Sequence, residues 1–295
     1  MDERPVTEAR NAVGADLDLR STAELVELMN REDALVPGAV AEAFDDIAVV
    51  VDEVVARLHR GGRLVYAGAG TSGRLAELDA DECEATFGAF PRVVAVVAGA
   101  GAESTEEREA AEDEETAGAR ALEALQTGPD DAVIVVSASG STPFALGAAR
   151  ASSAAGAFTA CVACVPGSDL ARLCAHEIAV VVGPEILAGS TRLKAGTAQK
   201  LVLNTISTVS MIRLGKTYDG LMVGVVPANE KLRERVRNIV REATGAPGDE
   251  VDAALAASGG DTKVAIMALL AGVDPAAART RLDATGGNLR EALVR

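Results

Sequence analysis

Short apolar runs alternate with helical patterns through the middle of the chain. The runs are Leu64–Tyr66, Val93–Ala98, Ala132–Val136, Thr159–Val165 and Ile178–Val182. Between them, apolar residues recur every three or four positions, which is typical of amphipathic helices. Strands that alternate with helices predict an α/β fold, in which a parallel sheet is covered by helices on both faces.

Further helices are predicted before the sheet. Ser21 and Glu24 have the spacing of a capping box, which starts one helix, and Pro37 favours the start of the next. From Val40 to Leu58 the apolar residues step by three or four, which predicts one continuous amphipathic helix. This helix lies outside the strand–helix alternation, so we expect its apolar face to need a partner surface, as in a homodimer.

Towards the C-terminal end of the chain the alternation of strands and helices gives way to helical patterns alone. Thr191–Leu214 predicts a long helix, and residues 245–295 contain three short helical patterns that glycines separate. This pattern indicates a small helical bundle appended to the α/β fold. We therefore predict two domains, residues 1–235 and residues 236–295.

The composition narrows the possible partners. The chain has 295 residues and a net charge of −16, with 48% hydrophobic and only 2% aromatic residues. So acidic a protein is not expected to bind nucleic acid or an anionic membrane surface. The sequence shows no pattern of a signal peptide and no apolar stretch long enough to span a membrane. A cytoplasmic location is expected.

A glycine-rich loop follows the first predicted strand. Gly68, Gly70 and Gly73 have the spacing G-x-G-x-x-G, and Thr71 and Ser72 then open a helical pattern. A strand, a glycine turn and a helix N-terminus together make an anion site, because free N–H groups and the helix dipole favour negative charge. The usual ligand of this pattern is a dinucleotide. A sugar phosphate, or a tight turn without a ligand, remains open from the spacing alone.

A second loop with the same context follows the strand Ala132–Val136. Its hydroxyl groups suit a phosphate monoester, whose oxygens need many donors, although a plain helix cap is the alternative. A dinucleotide fold would also want an acidic residue near the end of the second strand, and Ala98–Gly101 contains none. The two loops therefore favour a sugar phosphate. The hydroxyl groups belong to Ser137, Ser139, Ser141 and Thr142.

The cysteines and histidines do not indicate a metal site. Cys161 and Cys164 form a C-x-x-C pair, but they lie in a predicted strand, where residues three apart face opposite sides. The only histidines are His59 and His176, too few for a histidine metal site or catalytic triad. We therefore predict no metal site.

Several longer stretches resemble a known family. The two loops resemble the sugar-phosphate site of the sugar isomerase (SIS) domain, which has a flavodoxin-like sandwich fold. Along most of the chain the resemblance is to the N-acetylmuramic acid 6-phosphate etherase family. The matching stretches are Gly68–Arg74, Leu78–Cys83, Ala111–Asp113, Gly189–Asn204 and Asn229–Leu232.

This resemblance implies a carbon–oxygen lyase that needs no cofactor. The family removes the lactyl ether from N-acetylmuramic acid 6-phosphate by elimination followed by hydration. The products are N-acetylglucosamine 6-phosphate and D-lactate, in the recycling or catabolism of peptidoglycan amino sugars. The alternative is a non-catalytic SIS-domain sensor of a sugar phosphate. The resemblance also implies a homodimer, a catalytic SIS domain over residues 1–235 and a UBA-like three-helix domain over residues 236–295.

The family's two catalytic glutamates fall on Glu82 and Glu112. Glu82 is expected to protonate the ether oxygen and later to activate water, and Glu112 to remove the proton on carbon 2. On sequence alone Glu112 belongs to an acidic run, which is typical of a solvated helix face. Ser141 departs from the family's usual pattern, where an arginine is common. The expected substrate-binding residues are Gly70, Thr71, Ser72, Ser137, Ser139, Ser141, Thr142, Ser190, Thr191 and Lys194.

Overall fold

A parallel five-stranded sheet lies at the centre of this computed structural model. Its strand order is β2-β1-β3-β4-β5, and every neighbouring pair is parallel. The order changes direction between β1 and β3, the place where such sheets bind ligands beyond the carboxyl ends of their strands. The strands are β1 (Leu64–Gly68), β2 (Val93–Val97), β3 (Ala132–Val136), β4 (Phe158–Ala163) and β5 (His176–Ala179).

The structure describes residues 5–89, 92–225 and 229–294. These residues form two compact units. The first holds residues 5–81 and 92–207, and the second holds residues 82–89, 208–225 and 229–294. The domain boundary after residue 235 stays a prediction.

Seven helices accompany the sheet before residue 190 within the described part of the chain. They confirm the predicted alternation of strands and helices, since a helical segment lies between each strand and the next. They are α1 (Thr22–Asp33), α2 (Val36–Ala41), α3 (Phe44–His59), α4 (Gly70–Phe87), α5 (Thr105–Glu112), α6 (Glu115–Ala124) and α7 (Pro143–Ala154). The segment between β4 and β5 is a single 3₁₀ turn at Ala171–Leu173.

Helices cover both faces of the sheet, as the apolar runs predict. Val65 and Val133 point to one face, where they pack with Leu122 of α6 and Ala148 of α7. Tyr66 points to the other face, because successive strand residues alternate. There its hydroxyl donates to the Asp79 carboxylate of α4 at 2.9 Å. All residues of β1 and β3 are buried, which is why their sequences are continuously apolar.

The segment from Val40 to Leu58 differs from the prediction of a single helix. Val40 ends up in α2, and α3 begins at Phe44. The apolar face of α3 is buried against strands of its own chain, and the guanidinium of Arg57 lies 4.8 Å from the ring centroid of Phe158 in β4. Most of this face therefore has its partner within the chain, which removes it as a reason for a homodimer, whereas Phe44 at the start of α3 stays exposed. The buried face consists of Ile47, Val50, Val51, Val54 and Leu58.

The long helix α8 (Lys194–Arg213) begins three residues later than predicted. Beyond it the second unit contains two antiparallel strands of two residues each, β6 (Thr217–Tyr218) and β7 (Leu221–Met222). Helix α9 (Glu230–Thr244) follows them. Four short helices follow among the described residues, where the sequence pattern predicts three. They are α10 (Gly248–Ala257), α11 (Thr262–Ala271), α12 (Pro275–Asp283) and α13 (Leu289–Val294).

The helices of the second unit share one apolar core. Val240 of α9, Ile266 of α11 and Leu289 of α13 are buried together in it. No single helix in the described ranges is long and apolar enough to cross a membrane. Taken together, α10 and α11 reach that length and composition, but the chain bends by 120° between them.

Candidate functional site

A cavity of about 550 Å³ lies in the first unit. Residues just beyond the ends of β1 and β3 line it, together with one face of α5, the N-terminal segment and the turn before α8. The cavity thus opens where the strand order changes direction, the place at which this class of sheet binds ligands.

The glycine loop after β1 brings a helix N-terminus to the cavity. A Cβ on Gly73 would approach the Gly68 carbonyl oxygen to 2.7 Å, so these two glycines allow the strand and helix to touch. Gly70 has a φ of +52°, and a Cβ there would lie 2.9 Å from the Glu112 carboxylate. The loop therefore places the start of α4 directly against the side chain of Glu112.

The hydroxyl groups of this first loop also face the cavity. Ser72 lines it and donates from Oγ to Gln199 Oε1 at 3.0 Å. Thr71 lines it as well, and its Oγ1 accepts a hydrogen bond from Arg74 Nη2 at 3.2 Å. Both hydroxyls are thus held in place at the N-terminus of α4, where the helix dipole favours an anion.

In the second loop, after β3, two hydroxyl groups line the cavity and two form hydrogen bonds within the loop. Ser139 and Thr142 line the cavity. Ser137 is buried, and its Oγ accepts from the Gly140 backbone N–H at 3.1 Å and lies 2.9 Å from Thr142 Oγ1. Ser141 is exposed and donates to Ser139 Oγ at 2.9 Å. Ser137 and Ser141 therefore shape the loop, whereas Ser139 and Thr142 face the cavity.

Helix α5 presents one face to the cavity. Thr105, Arg108, Glu109 and Glu112 all line it, and their spacing of three, one and three places them on the same side of a helix. The acidic run that sequence alone assigns to a solvated face thus contains one face that lines a cavity.

Glu112 is half-buried on this face. Burial raises the pKa of its carboxyl group, Asp113 and Glu109 add to the rise, and the nearby Arg74 guanidinium opposes it. A carboxyl group with a raised pKa in a cavity can exchange a proton at moderate pH, which suits an acid or base.

The N-terminal segment and the turn before α8 complete the cavity. Thr7 and Glu8 line it from the first segment, and Thr191 lines it from the turn. The Thr7 carbonyl accepts a hydrogen bond from the Gly189 N–H at 3.1 Å, and a Cβ on Gly189 would lie 3.0 Å from Glu8 Oε2. This close contact joins the two segments on one side of the cavity.

Lys194 begins α8 but is buried beside the cavity lining rather than in it. Its Nζ donates to Glu32 Oε2 at 2.7 Å, and Asn11 Nδ2 donates to the same oxygen at 2.8 Å. Burial raises the pKa of Glu32, but these hydrogen bonds outweigh it and the net pKa is lowered. Glu185 accepts from the backbone N–H groups of Lys194 and Ala195 at 3.0 and 2.9 Å. We call Asn11, Glu32, Glu185 and Lys194 the buried cluster.

The structure brings together seven of the residues that the sequence singles out. It does not bring Ser137, Ser141, Ser190 or Lys194 into the cavity lining, so their contact with a substrate stays a prediction. The predicted residues that line the cavity are Gly70, Thr71, Ser72, Glu112, Ser139, Thr142 and Thr191.

Glu82 has a different position from Glu112. It lies on α4, twelve residues beyond Gly70, and its side chain is exposed. Glu82 belongs to the second unit and is not among the residues that line the cavity. Its catalytic role stays a prediction.

Sequence reasoning missed several lining residues. Thr7 and Glu8 lie in a segment without periodicity, and Thr105, Arg108 and Glu109 lie in the acidic run. The helical spacing of that run with Glu112 was a signal that could have found the last three, because a face is shared by residues three and four apart.

The cysteines lie away from the cavity lining. Cys161 and Cys164 are buried free thiols, and burial raises the pKa of the Cys164 thiol to about 12. Such a thiol stays protonated and unreactive at ordinary pH. Across the described residues, no group of three or more His, Cys, Asp or Glu side chains is placed to hold a metal ion.

The chain matches two family models and is similar in sequence to known proteins. A family model described as "Glucokinase regulatory protein N-terminal SIS domain" matches residues 46–152, and one described as "SIS domain" matches residues 111–208. The chain is 57% identical over 297 residues to the N-acetylmuramic acid 6-phosphate etherase of Rubrobacter xylanophilus, covering 99% of this chain and 98% of that protein. It is 51% identical over 293 residues to the protein of the same name from Streptomyces coelicolor, covering 99% and 94%.

Among solved structures, the fold resembles a phosphoheptose isomerase from Francisella tularensis. The TM-score is 0.52 at 16% sequence identity, and the match covers 65% of this chain and all of that one. The resemblance supports the SIS-type fold of the first unit.

Proposed function

The chain belongs to the N-acetylmuramic acid 6-phosphate etherase family, and from this premise we propose that it cleaves the lactyl ether of N-acetylmuramic acid 6-phosphate. The products are N-acetylglucosamine 6-phosphate and D-lactate, in peptidoglycan recycling or amino-sugar catabolism. The observation that carries the proposal is the Glu112 carboxyl group, half-buried between a helix N-terminus and a hydroxyl-lined cavity. The predicted cytoplasmic location stays a prediction.

The phosphate group of the substrate is proposed to bind between the two loops. Thr71 and Ser72 supply hydroxyls from the first loop, and Ser139 and Thr142 supply them from the second. A phosphate does not react in this chemistry, so it serves to fix the sugar in the cavity. The N-terminus of α4 adds backbone N–H groups and the positive end of a helix dipole.

The proposed reaction begins with the open-chain aldehyde of the sugar, which makes the proton on carbon 2 acidic. Ionised Glu112 removes that proton, a double bond forms between carbons 2 and 3, and the carbon 3–oxygen bond breaks with its electron pair on oxygen. An acid protonates this oxygen as D-lactate leaves. Water then adds at carbon 3, and a proton returns to carbon 2.

The acid of the second proton transfer is proposed to be Glu82, on the resemblance to the family. Its side chain is exposed on α4. Replacing Glu82 with Gln keeps the shape of the side chain but removes the transferable proton. We expect D-lactate release to slow by roughly 10²–10⁴, and near-normal turnover would assign this step to another group.

A homodimer is proposed as well. The support is a group of exposed large apolar side chains on α1 to α3 or just outside them, which comprises Val26, Leu35, Phe44 and Val49. Light scattering should then give a mass of about twice the 30.0 kDa of one chain. A mass near 30.0 kDa at micromolar concentration would contradict the dimer.

The activity itself is tested by incubating the protein with N-acetylmuramic acid 6-phosphate and assaying D-lactate enzymatically. The matched control is N-acetylmuramic acid, which has the lactyl ether but lacks the phosphate that the two loops are proposed to hold. We expect release from the phosphorylated sugar and much slower release from the control. Binding of the phosphorylated sugar without any release would instead favour a non-catalytic sensor.

A further inference from the structure

A second, smaller cavity joins the first one along α4 and α5. It measures about 270 Å³ and extends from the turn after β2, at Gly99–Ala102, to the first cavity. Four residues line both cavities, namely Gly70, Arg74, Arg108 and Glu112. The proposed base Glu112 thus lies at the junction, with the hydroxyl-lined cavity on one side and two arginines beside it.

Helix geometry places both guanidinium groups at this junction. Arg74 is three residues after Thr71 on α4, and Arg108 is four residues before Glu112 on α5, so each shares a face with a cavity residue. Arg108 is also fixed by close packing: a Cβ on Gly99 would lie 2.9 Å from its Cα and 3.0 Å from its Cγ.

Neither Arg74 nor Arg108 forms a direct ion pair within the described ranges, although Arg74 acts on the Glu112 carboxyl group from a greater distance. Arg74 donates to the neutral hydroxyl of Thr71, and Arg108 donates from Nε to the Ser104 carbonyl at 3.4 Å. Many other arginines of this acidic chain do form ion pairs, such as Arg63 with Asp131 at 2.7 Å. Arg74 is close enough to Glu112 to oppose the rise in the pKa of its carboxyl group, and Glu77 also lines the smaller cavity. A bound anion that both guanidinium groups contact would add favourable Coulomb energy to these weaker attractions.

We propose that Arg74 and Arg108 bind the carboxylate of the lactyl group and so determine the specificity of the site. This inference rests on the proposed function. The substrate carries one anion on carbon 6 and another on the lactyl arm at carbon 3, at opposite ends of the sugar. With the phosphate on the hydroxyl groups, the lactyl arm extends past Glu112 towards the arginines.

The chemistry of the two anion sites differs in a way that fits this assignment. Planar guanidinium groups bind a planar carboxylate through paired hydrogen bonds, and they keep their charge at every relevant pH. Because the arginines contact the leaving group, they distinguish the substrate from N-acetylglucosamine 6-phosphate, which has the same phosphate but no lactyl arm. They also hold the ether bond beside Glu112.

The test compares these two ligands in the variants Arg74→Gln and Arg108→Gln. Steady-state D-lactate release gives the KM of the substrate, and inhibition by N-acetylglucosamine 6-phosphate gives its Ki. We expect KM to rise about 10- to 100-fold in each variant, as expected for a lost hydrogen bond to a charged group. Ki should stay within about twofold in Arg108→Gln. In Arg74→Gln it should rise less than KM, because this variant also loses the hydrogen bond to the Thr71 hydroxyl. Arg74→Lys and Arg108→Lys, which keep the charge, should lie between the Gln variants and the native protein.

The matched control is Arg120→Gln, an exposed arginine on α6 that does not line either cavity. It should leave both constants unchanged. Equal rises in KM and Ki for the two cavity variants would overturn the inference, because they would mean that the arginines hold the phosphate. Unchanged KM in both would overturn it too.

Failure of the proposed function is a separate outcome. If the native protein releases no D-lactate, the substrate is not consumed and calorimetry measures its binding directly. The inference then requires that native protein bind N-acetylmuramic acid 6-phosphate more tightly than N-acetylglucosamine 6-phosphate, and that the Gln variants lose this preference. Equal affinity of native protein for both sugars would overturn it.

Discussion

The cavity face of α5 and the buried cluster at the start of α8 both contain charged side chains. The two regions differ in whether those charges are paired within the chain. In the buried cluster, Glu32 is paired with Lys194 at 2.7 Å, and Glu185 accepts hydrogen bonds from two backbone N–H groups. On α5, the Glu112 carboxylate lies against Gly70 and Arg108 has no ionic partner among the described residues. The charges of the buried cluster are paired within the chain, whereas those on α5 line a cavity in which a ligand could contact them.

The difference separates charges that stabilise the fold from charges that can act on a substrate. A buried ion pair costs desolvation free energy for both ions, and removing one partner is strongly destabilising. A half-buried carboxyl group with a raised pKa and no fixed donor is instead able to accept a proton from a bound molecule. Substitutions in the buried cluster should therefore change the free energy of unfolding, whereas substitutions on the cavity face of α5 should change catalysis.

The largest expected effect is that of Glu112→Gln. It should lower kcat by roughly 10²–10⁴, because the amide cannot accept the proton on carbon 2. The free energy of unfolding should change little, since Glu112 forms no ion pair with any residue that the structure describes. Urea unfolding and D-lactate release measure the two quantities, and Glu106→Gln, on the same helix but outside the cavity lining, is the control. A loss of stability as large as the loss of activity would place Glu112 with the buried cluster.

The buried cluster should respond in the opposite sense. Lys194→Met leaves the Glu32 carboxylate buried without its cation, so the free energy of unfolding should fall by about 3–5 kcal/mol at neutral pH. Lys200→Met, at an exposed lysine of the same helix, serves as the control in urea unfolding. A change below 1 kcal/mol would mean that the pair does not hold α1 and α8 together.

The pH dependence of that loss has a definite sign. In the native protein the pKa of Glu32 is lowered, so its contribution to stability is present above the unfolded pKa and is lost as pH falls through the folded pKa. In Lys194→Met, burial is no longer offset and the carboxyl group takes up a proton more readily. The difference in unfolding free energy between native and variant should therefore shrink as the pH is lowered.

A smaller effect is expected in the phosphate loop. Ser139→Ala removes one donor to a phosphate that does not react, so KM should rise about tenfold while kcat stays nearly constant. Ser137→Ala instead removes the bonds to Gly140 and Thr142 that hold the loop, so it should also lower the melting temperature. Unchanged KM with a much lower kcat for Ser139→Ala would show that its hydroxyl acts on the chemical step.

The smallest effect concerns the acidic limb of the pH profile. Glu112 must be ionised to act as a base, and its pKa is raised by burial, so kcat/KM should fall at a higher pH than for an ordinary glutamate. Arg74→Gln removes the charge that opposes this rise, and the limb should move to still higher pH. Arg120→Gln should keep the native limb. A shift to lower pH in Arg74→Gln would contradict the assignment of the limb to Glu112.

The sheet and the two loops could be predicted because their determinants are local. Runs of apolar residues define β1 and β3, and the glycines and hydroxyls that follow define the anion site. The break between α2 and α3 could not be predicted in this way, since Glu42 and Ala43 carry no turn signal of their own.

The pairing of the charges depends on contacts that are distant in sequence. Lys194 meets Glu32 across 162 positions, so a basic group near the α8 start could be taken for a substrate ligand. Conversely, Glu112 lies in a run of acidic residues that has the sequence pattern of a solvated helix face. Only the structure shows that its carboxylate lies against Gly70. The sequence showed which residue types were present, but only the fold showed which of them were paired.

The most direct measurement follows the hydrogen on carbon 2 of the sugar. Native protein is incubated with N-acetylmuramic acid 6-phosphate in deuterated water, and the N-acetylglucosamine 6-phosphate that forms is examined by proton NMR. The account predicts D-lactate release with deuterium at carbon 2 of the product, and neither release nor exchange at a comparable rate in Glu112→Gln. D-lactate release from native protein with the original proton retained at carbon 2 would contradict elimination by a base, and with it the role assigned to Glu112.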